Sequence, residues 1–333
     1  MKPIAAMFVF LLLFLGSPAH GFDLKSPAVH RFINRMVVQY HFRRGDLERL
    51  LAQVKTNPQI IAAINHPAEA LPWRRYRKIF LTPGRIQAGR RFLLAHQRLL
   101  SEAQNHYGVP APIIVAILGM ETRYGVRQGR HSALQALATL AFAYPPRARF
   151  FSKQLAAFLI LCRKNNLNPL TVQSSYAGAL GAGQFMPSSY LAYAVDTSGK
   201  GSNLFTSWPD IIASIANFLA AHGWQRGRPI AVPAGSPSGE VAADLLNRMF
   251  PVRKLRARGI IFDAPVSANT SVQLFAVGAT QGRHYWVGLP NFTVLMRYNR
   301  SPLYALAATQ LAAALVAPPV STSSGEALAS AYH

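Results

Sequence analysis

The alternation of apolar and charged positions divides the chain into a helical majority and one short stretch of different texture. Between residues 28 and 66, Phe32, Met36, Val37 and Tyr40 and then Leu47, Leu50, Leu51 and Val54 recur at three- and four-residue spacing, which predicts helices. Ile86 to Tyr107 reads as one longer amphipathic helix stopped by Gly108-Val109-Pro110. Pro110-Ala111-Pro112 restarts a very apolar helix from Ile113 to about Glu121, broken at Gly125. Further helices are predicted at Ala133–Ala143, Arg147–Asn165, Ser188–Val195, Asp210–His222 and Pro302 to about Leu315. From about Arg228 to Asn291, Pro, Gly and Ser punctuate the chain, and Ser271–Val277 and Trp286–Leu295 read as alternating or strand-forming runs.

The fold class this pattern predicts is α+β and mainly α-helical, with a small inserted β part. The expected organisation is a leader over 1–19, a helical region over 20–227, a small α/β insertion over 228–296, a C-terminal helix over 297–317 packing back on the core, and a disordered Ser/Ala-rich tail over 318–333. The leader has Lys2, twelve apolar residues from Ile4 to Leu15, and small residues at Ser17 and Ala19, as in a cleaved export signal. Twelve residues are too few to span a bilayer. A lipoprotein would need a cysteine just after this run, and Cys162 is the chain's only one, so an exported, periplasmic protein without a stable membrane anchor is expected.

Charge changes the picture next. Lys and Arg total 35 against 12 Asp and Glu, a net charge of +23, and 27 of the 35 are Arg. Such a balance favours anionic partners. Export argues against nucleic acid, and the clusters Arg74-Arg75-Tyr76-Arg77-Lys78 and Arg253-Lys254-Leu255-Arg256-Ala257-Arg258 read as solvated faces. A single cysteine excludes an intramolecular disulfide and a cysteine-rich zinc module.

Scarcity of acids makes their positions informative. From Ala103 to Val195 the only carboxylate is Glu121, at the end of Ile113-Ile114-Val115-Ala116-Ile117-Leu118-Gly119-Met120. An apolar wall suits a general acid by raising its pKa, while Arg123 and its positive surroundings push the other way. An ordinary ion pair with Arg123 or Arg127 is the competing reading. A second feature is the glycine-rich stretch from Ser174 to Tyr190, with three glycines in six residues. It is not a phosphate loop, because no Gly-Lys-Ser/Thr follows.

Taken together, these segments resemble a known family. Gly119-Met120-Glu121-Thr122-Arg123-Tyr124-Gly125, Ala136-Leu137-Ala138-Thr139-Leu140, Tyr144-Pro145 and Gly181-Ala182-Gly183-Gln184-Phe185-Met186-Pro187-Ser188-Ser189-Tyr190 occur in one order. With Ala221-His222-Gly223-Trp224 and Arg297-Tyr298-Asn299-Arg300-Ser301, they resemble the B-type membrane-bound lytic murein transglycosylases over roughly residues 30 to 315. The resemblance implies a lysozyme-like core and cleavage of the β-1,4 bond between N-acetylmuramic acid and N-acetylglucosamine in peptidoglycan strands. The muramoyl C6 hydroxyl, not water, would close on C1.

The resemblance also implies roles. Glu121 would be the single catalytic acid and base. Ser175 and Gln184 would orient N-acetyl groups as hydrogen-bond donors, Tyr76 and Tyr144 would stack on sugars, and Tyr298, Asn299 and Tyr304 would close the cleft. Phe218 stands where the family usually has a tyrosine. Family members often hold calcium in a loop matching Asp196 to Asp210. Here Asp196, Ser198 and Asp210 fit, but Lys200 fills a ligand slot, so no metal or cofactor is expected and the ammonium is expected to replace the cation beside Asp196. A hydrolytic muramidase would need a second carboxylate, for which Asp196 and Asp210 are the nearby candidates. A non-catalytic peptidoglycan-binding scaffold is the other alternative, and intact Glu121, Ser175 and Gln184 argue against it.

Overall fold

The computed structural model describes residues 22–65, 71–236, 241–278 and 283–318. The expected leader, 1–19, lies outside the described residues, as does the tail beyond Pro318. The chain divides into two compact units, Met1–Asn57 and Pro58–His333.

In the first unit, α1 (Pro27–Tyr40) starts with the Ser26 hydroxyl accepting from the Val29 N–H, with Pro27 in the first turn. It buries Val29, Phe32, Ile33 and Met36, the predicted stripe. His41, at φ 55°, ends it. The second helix, α2 (Arg44–Ala52), buries Leu47 and Leu51.

The second unit contains α3 (Pro58–Ile64), α4 (Trp73–Phe80), α5 (Pro83–Ala95), α6 (Gln97–Tyr107) and α7 (Ala111–Thr122). A two-residue strand pair, β1 (His131–Ser132) with β2 (Gln173–Ser174), brackets α8 (Ala133–Ala143) and α9 (Ala148–Lys164). Next come α10 (Pro187–Tyr193) and α11 (Trp208–Ala221). Every residue of α7 from Ile113 to Met120 is buried, as expected of a helix apolar on all sides. It packs against α5, α6, α11 and the last helix, α14 (Pro302–Val316).

The helix expected over Ile86–Tyr107 is two helices, broken at His96 (φ −116°, ψ 22°). The break lets the His96 ring sit 4.3 Å from that of Phe92 and 5.2 Å from that of Trp208, a tertiary contact invisible to periodicity. Burial correspondingly lowers the imidazole pKa.

Four antiparallel strands form the second sheet: β3 (Ala231–Ala234), β4 (Arg248–Pro251), β5 (Ser271–Gly278) and β6 (Arg283–Gly288), in the order β3-β6-β5-β4. With α12 (Val252–Ala257) they enclose a core that includes Phe250, Leu255, Val272, Leu274 and Val287. The strand-like run Trp286–Leu295 is strand only to Gly288. Pro290 then opens α13 (Pro290–Tyr298), whose Phe292 stacks on Phe275 at 4.8 Å. A Cβ on Gly288 would lie 2.4 Å from the Phe292 ring, so the glycine makes this switch from strand to helix possible.

Candidate active site

Glu121 is half-buried in the last turn of α7, and three successive left-handed residues follow it: Arg123 (φ 52°), Tyr124 (61°) and Gly125 (85°). The conformation costs about 1–2 kcal/mol for each residue bearing a Cβ. Local backbone bonds at the helix end and side-chain bonds to α5 offset the cost. The Tyr124 N–H bonds Leu118 O at 3.0 Å, and the Arg127 N–H bonds Thr122 O at 2.8 Å. Burial pushes the Tyr124 phenol up to about 12, and its hydroxyl donates to Arg85 O at 2.9 Å. The buried Arg85 guanidinium donates to Gly119 O at 2.9 Å and lies over the Phe80 ring. Burial, and then the charge of Arg123, lowers its pKa. A Cβ on Gly119 would meet the Tyr124 ring at 2.7 Å. The motif Gly119-Met120-Glu121-Thr122-Arg123-Tyr124 is therefore one packed unit, in which the glycine admits the tyrosine that braces the helix end.

The glycine-rich loop meets this helix end. Leu180 and Phe185 exchange backbone bonds of 2.8 and 3.0 Å, and the Ala182 N–H reaches Leu204 O at 2.9 Å. Gly181 (φ 68°) must be glycine, since a Cβ would fall 2.2 Å from Leu204 O. The Thr122 hydroxyl donates to Ala182 O at 2.7 Å and accepts from the Gly125 N–H at 2.9 Å. The side-chain nitrogen of Gln184 donates to Gln128 O at 3.0 Å and to Gly181 O at 2.8 Å. Both partners are carbonyl oxygens, so the amide's orientation is unambiguous. Its two protons are consumed, and the expected donor role is corrected: Gln184 has an acceptor oxygen left to offer. Ser175 is the converse. Its oxygen accepts from the Ala177 and Ala179 N–H groups at 3.3 and 3.1 Å, leaving its proton to donate.

Tyr304 Oη donates to Glu121 Oε1 at 2.7 Å. Tyr298 Oη donates to Gly183 O at 2.6 Å, and its ring meets those of Phe185 and Phe218 edge-on at 5.8 and 4.9 Å. Burial, then the Glu121 charge, holds both phenols well above their ordinary pKa, so both remain donors at neutral pH. Tyr76 departs from expectation. It is 1% exposed, with its ring 5.1 Å from that of Phe80 and 6.5 Å from that of Trp73, so it presents no face to a sugar. Tyr144 is half-buried and its hydroxyl donates to Asn65 at 3.1 Å; Asn299 caps the Ser301 N–H at 3.1 Å. Phe218 packs among aromatic rings and also lines the cleft, where its ring lacks a tyrosine's hydroxyl.

A cleft of about 830 Å³ has Gln184, Phe185, Tyr298 and Asn299 in its wall, while Glu121, Ser175, Tyr144 and Tyr304 are not among its lining residues. Arg147, Arg297 and Arg300 also line it, residues the sequence reading passed over although two flank the Tyr298-Asn299 pair it chose. The four ion pairs among the described residues use Arg44, Arg49, Arg98 and Arg258, so the cleft arginines have no carboxylate partner there.

The loop from Asp196 satisfies its carboxylates differently. Asp196 Oδ1 accepts from the Ser198 and Gly199 N–H groups, and Oδ2 from the Gly201 N–H at 2.7 Å. These bonds, that of Gly201 foremost, hold its pKa below the usual carboxylate range. Asp210, 1% exposed, accepts from the Thr197 and Asn203 N–H groups, each at 2.9 Å. Lys200 forms no ion pair with Asp196, so backbone amides, not the expected ammonium, neutralise the loop. Two carboxylates with a lysine in a ligand slot are a poor donor set for calcium, and no cluster of three or more His, Cys, Asp or Glu able to hold a metal occurs among the described residues.

Residues 25–313 match the family model described as the transglycosylase SLT domain. The chain is 38% identical over 329 residues to "Membrane-bound lytic murein transglycosylase B" of Escherichia coli K12, covering 90% of each protein. It superposes on soluble lytic transglycosylase SltB1 of Pseudomonas aeruginosa in its catenated form, with a TM-score of 0.81 and 41% identity over 87% of this chain and 97% of that one. The Escherichia coli lytic transglycosylase Slt35 in complex with calcium gives 0.79 and 40% identity, over 89% of this chain and 95% of that one.

Proposed function

The chain belongs to the transglycosylase SLT domain family, and on that premise we propose that it cleaves the β-1,4 bond between N-acetylmuramic acid and N-acetylglucosamine in peptidoglycan, leaving 1,6-anhydro ends. The observation that carries this reading is the contrast among carboxylates. Glu121 stands at the site beside Tyr304 and Tyr298, whereas Asp196 and Asp210 spend their oxygens on their own loop. A glycosidase that activates water usually needs two carboxylates about 5 to 9.5 Å apart. With one, an intramolecular acceptor is the economical chemistry.

Tyr304 holds the carboxyl group by Oε1, so the transferable proton sits on Oε2. Glu121 gives it to the glycosidic oxygen as the bond to C1 breaks. The carboxylate then takes the proton of the C6 hydroxyl as that oxygen closes on C1. Ser175 offers a proton to a substrate carbonyl, and the Gln184 oxygen accepts from a substrate N–H, a complementary pair for N-acetyl groups. Tyr298 and Asn299 form part of the wall, Tyr144 is tied to Asn65 through its hydroxyl, and Tyr76 is a buried ring. Arg147, Arg297 and Arg300, which form no ion pair among the described residues, suit a glycan bearing acidic peptides in the periplasm, to which the chain would be exported.

Digestion of purified peptidoglycan with the protein, read by mass spectrometry of the sugar ends, tests the reading. Anhydro ends about 18 Da lighter than hydrated ones are expected, and Glu121→Gln should lose them while still binding strands. Hydrated reducing ends from the wild type would overturn it.

A further inference from the structure

Resting on that reading, we infer that Thr122 is a positioning residue of the reaction: its buried hydroxyl locks the helix end carrying Glu121 to the loop carrying Gln184. A threonine inside a helix ordinarily returns its proton to the carbonyl four residues back. Here that carbonyl, Leu118 O, is 3.4 Å away and already accepts the Tyr124 N–H. Ala182 O, sixty residues along the chain, is nearer at 2.7 Å. The same oxygen accepts from the Gly125 N–H at 2.9 Å. Thr122 is 1% exposed and Ala182 fully buried, so water offers neither group a substitute.

One hydroxyl therefore joins three segments. The first is the last turn of α7, with Glu121. The second is the left-handed turn Arg123-Tyr124-Gly125, which it braces at Gly125. The third is the glycine loop, where the next residue, Gly183, accepts from Tyr298 and the one after, Gln184, lines the cleft. Thr122 touches no substrate in this scheme. It sets the distance between the group that moves protons and the groups that hold the sugar. A displacement of about 1 Å in such a relation can cost about 100-fold in rate.

The test compares wild type, Thr122→Val, which keeps the shape without the hydroxyl, and Thr122→Ser, which keeps the hydroxyl. Initial rates of release of soluble fragments from purified peptidoglycan are measured well below each variant's melting temperature. The valine variant is expected to lose about 10- to 100-fold in kcat with KM within about twofold, and serine to restore kcat to within about threefold. Valine at wild-type kcat, or serine as impaired as valine, overturns the inference. So does a valine variant in which KM alone rises, because the hydroxyl would then only shape the groove. Should valine melt below the assay temperature, Thr122→Ala, which also lacks the hydroxyl, decides by the same split, and wild-type kcat overturns the inference. Cleavage by the wild type on the same strands separates this outcome from failure of the glycan-cleaving reading itself.

Discussion

Two acidic regions of this chain solve the problem of a carboxylate in opposite ways. At Asp196 and Asp210 the backbone closes around the acids, and amide N–H groups meet both oxygens of each. Such bonds favour the ionised form and tie it to loop geometry. Glu121 instead meets a phenol from a helix 183 residues away, at the end of an apolar helix. Backbone amides cannot move without unfolding the loop, whereas a side-chain hydroxyl can follow a carboxyl group through a change of protonation. The first arrangement builds structure and the second leaves a group able to exchange protons.

The comparison breaks most visibly at Glu121. Its replacement by Gln should lower turnover by about 1,000-fold or more and leave the melting temperature unchanged. A parallel loss of stability would place Glu121 with the structural acids. Tyr304→Phe removes a charge-assisted hydrogen bond worth about 1.5–3 kcal/mol. Turnover should fall roughly 10- to 100-fold in steady-state assays, and an unchanged rate would mean that the carboxyl group is held without the phenol.

Asp210→Asn should do the reverse. An amide nitrogen cannot accept from the Thr197 or Asn203 N–H, so stability should fall by about 1–3 kcal/mol in denaturant titration while each folded molecule keeps its rate. A rate loss without a stability loss would return Asp210 to the chemistry, and with it the hydrolytic mechanism. The smallest effect concerns Asp196. Its folded pKa lies below the ordinary value, so its contribution is present above the unfolded pKa near about 4 and is lost as pH falls through the lower folded one. Asp196→Asn should flatten that acid limb of a melting-temperature profile, and an identical profile would show that the loop's bonds do not discriminate the two forms.

Some of this was legible before any fold was known. The apolar run ending at Glu121 and the absence of another acid from Ala103 to Val195 single out one carboxylate by composition alone. The helices ending at Ala143 and beginning at Pro302 have their predicted limits, because proline and capping residues act locally. The His96 break escaped, since it depends on Trp208 from a distant helix. The roles of Tyr76 and Gln184 come from the resemblance to the family, and matched motifs do not say whether a ring faces outward or whether an amide's protons are already taken. Arg147 was missed because a cation on a helical face has the same pattern whether it lines a cleft or meets water.

The sequence by itself determined that the chain is mainly helical, where the apolar central helix stops, and that a single carboxylate stands at its end. These follow from periodicity, capping and composition, all properties of neighbours along the chain. Only the tertiary structure decided that Tyr304 meets Glu121, that Thr122 gives its proton to Ala182 rather than to its own helix, and that backbone amides claim Asp196 and Asp210. A hydrogen bond depends on distances of a few tenths of an ångström between groups up to 183 residues apart, and packing alone sets those.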